Sequence, residues 1–145
     1  MPSPNLQDVV TRRVSAAKLR LTASRRSVLQ VLIDAERPLT LPEILGRGDG
    51  LAQSSAYRNL AELIGAGVVE RIDTGDDHSH YELADDLTAH HHHLICTGCG
   101  RVVDVELSDD LEHRLHEAAD EVGPAEGFSV TGHRLDLTGL CRSCS

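Results

Sequence analysis

All four cysteines of this 145-residue chain lie in two C-x-x-C pairs, and no other feature limits its fold so strongly. Cys96 and Cys99 form the first pair, Cys141 and Cys144 form the second, and 41 residues separate the pairs. Two such pairs are typical of a tetrahedral Zn²⁺ site, because each tight turn presents two thiolates. We predict a structural Zn²⁺ that clamps both ends of the intervening segment and contributes free energy of folding. A redox dithiol is the alternative.

Four consecutive histidines, His90–His93, stand just before the first cysteine pair. In an extended segment alternate side chains point to opposite faces, so His90 and His92 would lie on one side and His91 and His93 on the other. One stretch can therefore supply ligands to two metal sites, each of which needs further ligands from elsewhere. The competing interpretation is a solvated polar linker.

The other five histidines divide into potential ligands and surface residues. His80 shares one face of a predicted strand with Glu82. His133 belongs to the segment between the cysteine pairs, so both histidines are potential ligands. Three others are expected to face solvent: His78, His113 and His116.

Residues 1–84 are predicted to form a winged helix-turn-helix domain. Apolar residues recur at helical spacing in four segments. These are Leu6–Leu19, a helix from Thr22 or Ser24 to about Asp34, Leu41–Leu45, and Ala56–Ala66 capped by Ser54 or Ser55. Two strand-like runs, Val68–Ile72 and His80–Leu83, follow with a turn at Thr74–Asp77. Three or four helices closed by a hairpin form the winged-helix pattern.

The polar face of the fourth helix is the candidate DNA-reading surface, because its residues suit phosphates and base edges. The face comprises Ser54, Ser55, Tyr57, Arg58 and Asn59. Residues 1–74 hold ten lysines and arginines against eight acidic residues, whereas residues 75–145 hold four against fifteen. An acidic second half repels nucleic acid, so any DNA binding belongs to the first half. An ordinary small helical domain is the alternative.

Residues 85–89 are interpreted as a loose hinge and residues 90–145 as a second small unit. The unit is predicted to contain a strand, a helix and a strand-rich run: Arg101–Leu107, a helix capped by Ser108 that runs to about Val122 and is ended by Gly123-Pro124, and Phe128–Leu137. The inward face of that helix is predicted at Leu111, Leu115, Ala118 and Ala119. No apolar stretch approaches the roughly 18 residues of a membrane span, so we expect a cytoplasmic protein without a membrane partner.

In combination and order these motifs resemble the ferric uptake regulator family. The matching stretches are Arg20–Thr22, Ser55–Leu60, Gly67–Glu70, Tyr81–Leu83, His90–Gly100 and Cys141–Cys144. The resemblance implies an α+β protein, with an N-terminal winged helix and a small C-terminal α/β dimerisation domain carrying the four-cysteine Zn²⁺ site. It implies a homodimeric repressor of metal-uptake genes, not an enzyme, which binds an AT-rich palindromic operator when loaded with metal. No small-molecule substrate is implied.

The resemblance also assigns roles by position. It places Tyr57 and Arg58 in the major groove of DNA, and it places Arg20 in a narrow minor groove. It assigns the structural Zn²⁺ to Cys96, Cys99, Cys141 and Cys144. It assigns a sensing site to His91, His93 and Glu82. It assigns an additional site to His90, His92, Glu112 and His133, with a one-residue insertion before Glu112.

Two departures from the family leave the fourth sensing ligand open. Iron-type members add a histidine just after the second helix, where this chain has Arg37–Thr40. Zinc-type members use a cysteine after the wing, where this chain has Ala84. His80 is our first candidate because it shares a strand face with Glu82, and Glu70 is the second. Such nitrogen and oxygen donors accept Fe²⁺, Zn²⁺, Mn²⁺ or Ni²⁺, with Fe²⁺ slightly preferred and a zinc-responsive regulator as the alternative.

Two other classes of function compete with this interpretation. A zinc-dependent hydrolase would use Glu82 or Glu112 as a base, but the chain has no H-E-x-x-H helix. A metal-storage or interaction module would leave the polar helix around Tyr57 and Arg58 unexplained. We therefore expect metal to tie the wing to the hinge and to set the spacing of two recognition helices.

Overall fold

The computed structural model describes residues 5–74 and 79–145. His78 and most of the predicted hairpin turn lie outside the described residues. The described elements, in order, are α1 Leu6–Ala16, α2 Ala23–Asp34, β1 Leu39–Thr40, α3 Leu41–Arg47, α4 Gln53–Gly65, β2 Val69–Ile72, β3 His80–Leu83, a 3₁₀ turn Asp85–Leu87, β4 His92–Cys96, β5 Val102–Val105, α5 Asp109–Ala125 and β6 Asp136–Gly139. No helix within these ranges is long and apolar enough to cross a membrane.

The first four helices pack on a small antiparallel sheet with the strand order β1-β3-β2. Thr22, not Ser24, caps α2, and its hydroxyl accepts the backbone N–H of Arg25. Thr40 and Glu43 form a capping box at the start of α3, which satisfies two otherwise unpaired backbone groups. The apolar faces of these helices meet in one core, which includes Val28, Leu32, Ile44, Leu60 and Leu63. The predicted helices and hairpin strands are present, although α1 ends at Ala16 and not near Leu19.

The start of α4 differs from the prediction. The N-cap is Ala52, which makes no side-chain cap hydrogen bond, and the helix begins at Gln53. The backbone N–H of Ala56 already bonds to the carbonyl of Ala52 at 2.9 Å. Ser54 and Ser55 therefore lie inside the first turn, and the expectation that either of them caps the helix was wrong.

The second sheet has the strand order β5-β4-β6. β4 pairs antiparallel with β5, placing His93 opposite Asp104, and parallel with β6, placing Cys96 opposite Gly139. The buried core beside this sheet is small and consists of Ile72, Ile95 and Val102. So small a core stabilises little by itself, which favours an additional clamp such as a metal site.

Helix α5 differs from its prediction at its end and on its apolar face. It runs through Gly123 and Pro124 to Ala125, and Gly127 at φ 79° follows the helix end. The only buried residue of the helix is Gly123, and Leu111 is 41% exposed. The predicted inward face is therefore only partly covered by its own chain, with Leu115 and Ala119 half-buried and Ala118 exposed. His113 and His116 face solvent as predicted, with side chains 70% and 75% exposed.

The segment after α5 was also predicted incorrectly. The run Phe128–Leu137 was expected to be rich in strand, but regular pairing begins only at Asp136. Residues 128–135 have no regular secondary structure. Their backbone pairs with no strand among the described residues, and the pairing of β4 with β6 begins with His93 opposite Asp136. His133 therefore precedes the final strand instead of lying in it.

A 3₁₀ turn, Asp85–Leu87, lies in the segment between the two sheets that we interpret as a hinge. Leu87 is buried in the core of the helical unit. Asp86 forms an ion pair with Arg13 of α1 at 2.8 Å. Arg13 also donates to the carbonyl of Gly67 at 3.1 Å. The turn is thus held by packing and by charge-assisted hydrogen bonds.

Candidate metal centres and nucleic-acid interface

The first candidate metal centre is the group of four cysteines. Their sulfur atoms lie within 4.8 Å of one another, and all four are free thiols. The pairing of β4 with β6 brings the two C-x-x-C turns together, because Cys96 ends β4 opposite Gly139. Gly98 permits the close approach, since a Cβ there would lie 2.9 Å from that of Cys144. This arrangement fits a tetrahedral Zn²⁺.

Backbone hydrogen bonds prepare one of these thiols for metal. The N–H of Cys141 donates to Sγ of Cys96 at 3.3 Å. With further N–H groups from Cys99 and Gly98, this bond lowers the pKa of Cys96 to about 6. The thiolate is the form that binds metal. Cys96 is therefore available as a thiolate at neutral pH.

The second candidate centre, here called the Glu82 cluster, contains four residues: Glu82, His91, His93 and Asp104. Nε2 of His93 lies 2.7 Å from Oε1 of Glu82, and Nε2 of His91 lies 3.1 Å from Oε2. Asp104 lies 3.7 Å from Nε2 of both histidines. Glu82 comes from β3 of the winged-helix sheet, whereas the other three come from the second sheet and the segment before it.

The electrostatics of the Glu82 cluster suit a cation. Burial by itself lowers the pKa of His93, but the hydrogen bond and charge of Glu82 outweigh it and raise the pKa to about 9. Burial and the nearby charge of Glu82 raise the pKa of Asp104. Oδ1 of Asp104 is buried without a hydrogen-bond partner among the described residues. A buried oxygen of this kind is available to a divalent cation, which would also neutralise the two carboxylates.

The third candidate centre, here called the Glu112 cluster, contains His90, His92, Glu112 and His133. Nε2 of His92 lies 2.5 Å from Oε1 of Glu112, and Nε2 of His133 lies 3.1 Å from Oε2. Nε2 of His90 lies 3.3 Å from Nε2 of His133. Three imidazoles and one carboxylate form a ligand set suited to a borderline divalent metal. The structure brings together the same four residues that the resemblance assigned to the additional site.

Three of the clustered histidines have an oxygen partner on the ring nitrogen that points away from the cluster. Nδ1 of His93 lies 3.2 Å from Asp136, and Nδ1 of His91 lies 3.0 Å from the carbonyl of Ala89. Nδ1 of His90 lies 2.8 Å from Asp85. Such partners hold the proton on Nδ1 and direct the Nε2 lone pair toward a metal.

The structure does not bring His80 into the Glu82 cluster. The expectation was based on a shared strand face, but two residues along a strand are separated by about 7 Å. His80 instead lines a cavity of about 580 Å³ together with Arg37 and Glu43. Glu70 pairs with Glu82 across β2 and β3, yet it is not among the four clustered groups either.

Sequence reasoning missed Asp104, which occupies the fourth place in the cluster. The sequence contains an indication of its role, because Asp104 is the one carboxylate within the otherwise apolar run Val102–Val105 of the predicted strand. A charge that such a run takes partly out of water needs a partner, and Asp104 is half-buried. The strand register that sets Asp104 opposite His93 supplies this partner.

The exposed face of α4 contains fewer of the predicted DNA-contacting residues than expected. Ser54, Tyr57 and Arg58 are exposed, and Ser55 is half-buried. Asn59 is only 6% exposed, and its Nδ2 donates to Oγ of Ser24 at 2.8 Å.

Asn59 is therefore not on the DNA-facing surface, which corrects the prediction. The helical spacing explains its position, because it lies three residues after Ala56 and four before Leu63, both of them buried. Arg20, in the loop between α1 and α2, is exposed.

The sequence and the fold both match known proteins. The model of the "Ferric uptake regulator family" matches residues 16–138. The "Ferric uptake regulation protein" of Bacillus subtilis (strain 168) is 29% identical over 148 residues, which cover 97% of this chain and 95% of that protein. The "Peroxide operon regulator" of the same organism is 29% identical over 131 residues, or 88% and 85% of the two chains.

A solved structure agrees with this match. The ferric uptake regulator (Fur) of Vibrio cholerae superposes with a TM-score of 0.71 at 29% identity, covering 90% of this chain and 98% of that one. The shared architecture is the α+β layout of a winged helix and a dimerisation domain. The family's members are transcription regulators and not enzymes. With its helices, its two sheets and its four-cysteine cluster, the chain belongs to the ferric uptake regulator family of metal-responsive, DNA-binding regulators.

Proposed function

We propose that this protein represses metal-uptake genes by binding operator DNA when the Glu82 cluster holds a divalent cation. The supporting observation is that the cluster spans both sheets. Glu82 lies on β3, between β1 and β2 of the winged-helix sheet, whereas His93 and Asp104 lie on β4 and β5. A cation bound there joins the two sheets and neutralises the carboxylates of Glu82 and Asp104.

The link between the two sheets would fix the orientation of the DNA-binding helices. Of the four residues in the cluster, Glu82 is the one that comes from the winged-helix sheet. When Glu82 engages the histidines, β3 and the helices packed on it take one orientation relative to the second sheet. The cation must bind this arrangement more tightly than the alternatives for the population to shift.

We propose that the DNA-contacting surface consists of exposed residues on α4 and the loop before α2. They are Arg20, Ser54, Ser55, Tyr57 and Arg58. In this proposal residues 1–84 bind DNA, residues 85–89 connect the two units, and residues 90–145 bind metal and form the homodimer. The four cysteines hold structural Zn²⁺, which preserves the second sheet. The operator is an AT-rich palindrome, whose two-fold symmetry matches that of a dimer.

We propose Fe²⁺ as the effector bound by the Glu82 cluster, with Zn²⁺ as the alternative. Two imidazoles and two carboxylates form a mixed nitrogen and oxygen set without sulfur. Imidazole suits Fe²⁺, Zn²⁺ and Ni²⁺, whereas carboxylates suit harder cations such as Mn²⁺. Replacing the expected His80 by Asp104 makes the set harder, which favours Fe²⁺ over Zn²⁺.

Glu82→Gln tests the role of this cluster. DNA binding to an AT-rich palindrome is measured by fluorescence anisotropy, under anaerobic conditions, with Zn²⁺ at the cysteines and increasing Fe²⁺, Mn²⁺ or added Zn²⁺. The wild-type protein is expected to bind DNA more tightly as the effector is added, and Glu82→Gln is expected to lose this response.

Glu70→Gln is the matched control, because Glu70 is the cross-strand neighbour of Glu82 but lies outside the cluster. It should retain the metal response. A metal response that persists in Glu82→Gln would refute the proposed sensing role. The cation that gives half-maximal DNA binding at the lowest free concentration identifies the preferred effector.

A further inference from the structure

Asp85 contacts both histidine clusters through one carboxylate. It lies in the Asp85–Leu87 turn that follows β3. Its Oδ2 accepts a hydrogen bond from Nδ1 of His90 at 2.8 Å. Its Oδ1 accepts the backbone N–H of His91 at 3.4 Å and lies 3.7 Å from Nδ1 of the same ring. One side chain therefore touches a member of the Glu112 cluster and a member of the Glu82 cluster.

Each contact orients a ligand. The bond from Asp85 keeps a proton on Nδ1 of His90, which leaves the Nε2 lone pair directed at Glu112, 3.4 Å away. On the other side, Asp85 holds the backbone of His91, whose Nε2 lies 3.1 Å from Glu82. Partners of this type fix the tautomer and the ring orientation of a metal ligand.

The position of Asp85 is itself fixed by the winged-helix unit. The next residue, Asp86, pairs with Arg13 of α1 through two hydrogen bonds of 2.8 and 3.3 Å. Leu87 is buried in the helical core. Because the turn is anchored, a shift of the Asp85 carboxylate at one cluster is passed to the other cluster. In a mobile loop the backbone would absorb such a shift.

We propose that Asp85 is a positioning residue shared by both clusters, through which a cation in the Glu112 cluster raises the cation affinity of the Glu82 cluster. The proposal depends on the sensing role proposed above for the Glu82 cluster, and it adds that the Glu112 cluster also binds a cation. The turn fixes the backbone of Asp85, and a cation that orders His90 also fixes the rotamer of the Asp85 carboxylate, which in turn holds the backbone of His91. A second cation then binds to ligands that are already ordered, which is a positive coupling between the sites.

The coupling is measured by a double-mutant cycle. Protein with Zn²⁺ at the cysteines is titrated with Co²⁺, whose visible absorption reports each histidine cluster. Glu112→Gln disables the Glu112 cluster and is expected to lower the Co²⁺ affinity of the Glu82 cluster by about 5-fold or more. In an Asp85→Asn background the same substitution should have no further effect. Asp85→Asn alone should lower the affinity of both clusters by about 10- to 100-fold.

Asp86→Asn is the matched control, because it removes the same charge from the same turn but contacts Arg13 instead of a histidine. It should preserve the coupling. The ¹⁵N chemical shifts of His90 provide a readout that a merely structural role would not move, since Asp85→Asn is expected to abolish the Nδ1–H preference and Asp86→Asn to retain it.

The outcomes distinguish the coupling from the function beneath it. Co²⁺ binding at both clusters with no effect of Glu112→Gln on the Glu82 cluster overturns the coupling alone. Equal effects of Asp85→Asn and Asp86→Asn would reduce the role of Asp85 to general electrostatics and also overturn it. Absence of Co²⁺ binding at the Glu112 cluster overturns the coupling alone, whereas absence of Co²⁺ binding at the Glu82 cluster overturns both the coupling and the proposed sensing function.

Discussion

Adjacent histidines in this protein belong to different clusters because an extended chain turns successive side chains to opposite faces. His91 and His93 lie with Glu82, and His90 and His92 lie with Glu112. The alternation extends through His90 and His91, although β4 itself begins at His92. At the scale of single residues, two things therefore set the role of each histidine. One is the face of the strand to which its side chain points, and the other is the set of residues packed against that face.

Two neighbouring residues of α4 should separate stability from DNA binding. Asn59→Ala removes the hydrogen bond to Ser24 and is expected to lower the free energy of unfolding by about 1–2 kcal/mol. Arg58→Ala alters an exposed residue and should change stability by less than about 0.5 kcal/mol while weakening DNA binding. Urea denaturation and anisotropy titrations measure the two quantities. Loss of stability in Arg58→Ala comparable to that in Asn59→Ala would contradict this assignment.

The raised pKa of His93 predicts a pH dependence of the metal-free Glu82 cluster. Burial opposes the shift, but Glu82 outweighs it and raises the pKa to about 9. Protonated His93 therefore stabilises the fold fully below the unfolded value of about 6.5, and this contribution disappears as pH rises through about 9. The cation competes with that proton, so its affinity should increase across the same interval. This interval lies above the value near 6.5 that unperturbed histidines predict.

His93→Gln isolates this effect. With Zn²⁺ retained at the cysteines, the wild-type free energy of unfolding is expected to fall between pH 6.5 and 9.5 by more than that of His93→Gln. Urea denaturation across this range provides the measurement. Parallel pH profiles for the two proteins would show that His93 is not protonated in the folded, metal-free state.

At the scale of elements, β6 depends on few interactions. All four of its residues are exposed, and it pairs only with β4 among the described strands. The apolar core beside this sheet contains three buried residues. The two C-x-x-C turns lie together at the carboxyl ends of β4 and β6, where the N–H of Cys141 donates to Sγ of Cys96. A cation held by these cysteines would therefore supply a large share of the stability of β6.

Cys141→Ser is expected to release β6. Loss of one thiolate weakens the Zn²⁺ site, and the amide hydrogens of β6 should then exchange faster by at least about 10-fold, because strand opening costs less. Amides of α2 and α4 should keep their protection. Hydrogen exchange followed by mass spectrometry measures both regions. Ser143→Ala, in the same turn but outside the ligand set, is the control, and equal exchange of β6 in the two variants would refute the clamp.

At the scale of the whole molecule, the second unit exposes seven large apolar side chains, and clusters of such side chains mark interaction surfaces. The exposed apolar side chains on α5, in the segment after it and around the second sheet are Leu94, Leu111, Val122, Phe128, Val130, Leu137 and Leu140. Leu111 and Val122 lie on one face of α5, eleven residues apart. Because members of this family are dimers, we expect a second copy of the chain to cover this face.

Val122→Asp is expected to disrupt the dimer. Val122 is 60% exposed in the single chain, so the substitution should leave the fold of each subunit unchanged. In a two-fold dimer each substitution acts twice. At about 1.5 kcal/mol or more per lost apolar side chain, the dissociation constant should rise at least about 100-fold. Sedimentation equilibrium measures it.

His116→Asp provides the comparison for Val122→Asp. It introduces the same aspartate on another face of α5, where the native side chain is 75% exposed. The dissociation constant of the His116→Asp dimer should equal that of the wild-type protein. Dissociation by both variants, or by neither, would place the dimer interface elsewhere.

Patterns of neighbouring residues were sufficient to predict much of this protein. The helices of the winged-helix unit, its hairpin and the two C-x-x-C turns follow from spacing and local turn chemistry. The division of the four histidines follows from strand alternation. These features depend on residues a few positions apart, whose relative geometry the backbone largely dictates.

The tertiary structure decided which distant groups meet. Asp104 entered the Glu82 cluster because the register of β4 with β5 places it opposite His93, while His80 lies one strand repeat too far along β3. Asn59 became a core contact through its bond to Ser24, 35 residues away. Asp85 reached both clusters because the Asp85–Leu87 turn is packed in place. Each outcome depends on strand register and side-chain packing between segments far apart in the chain, which local patterns do not encode.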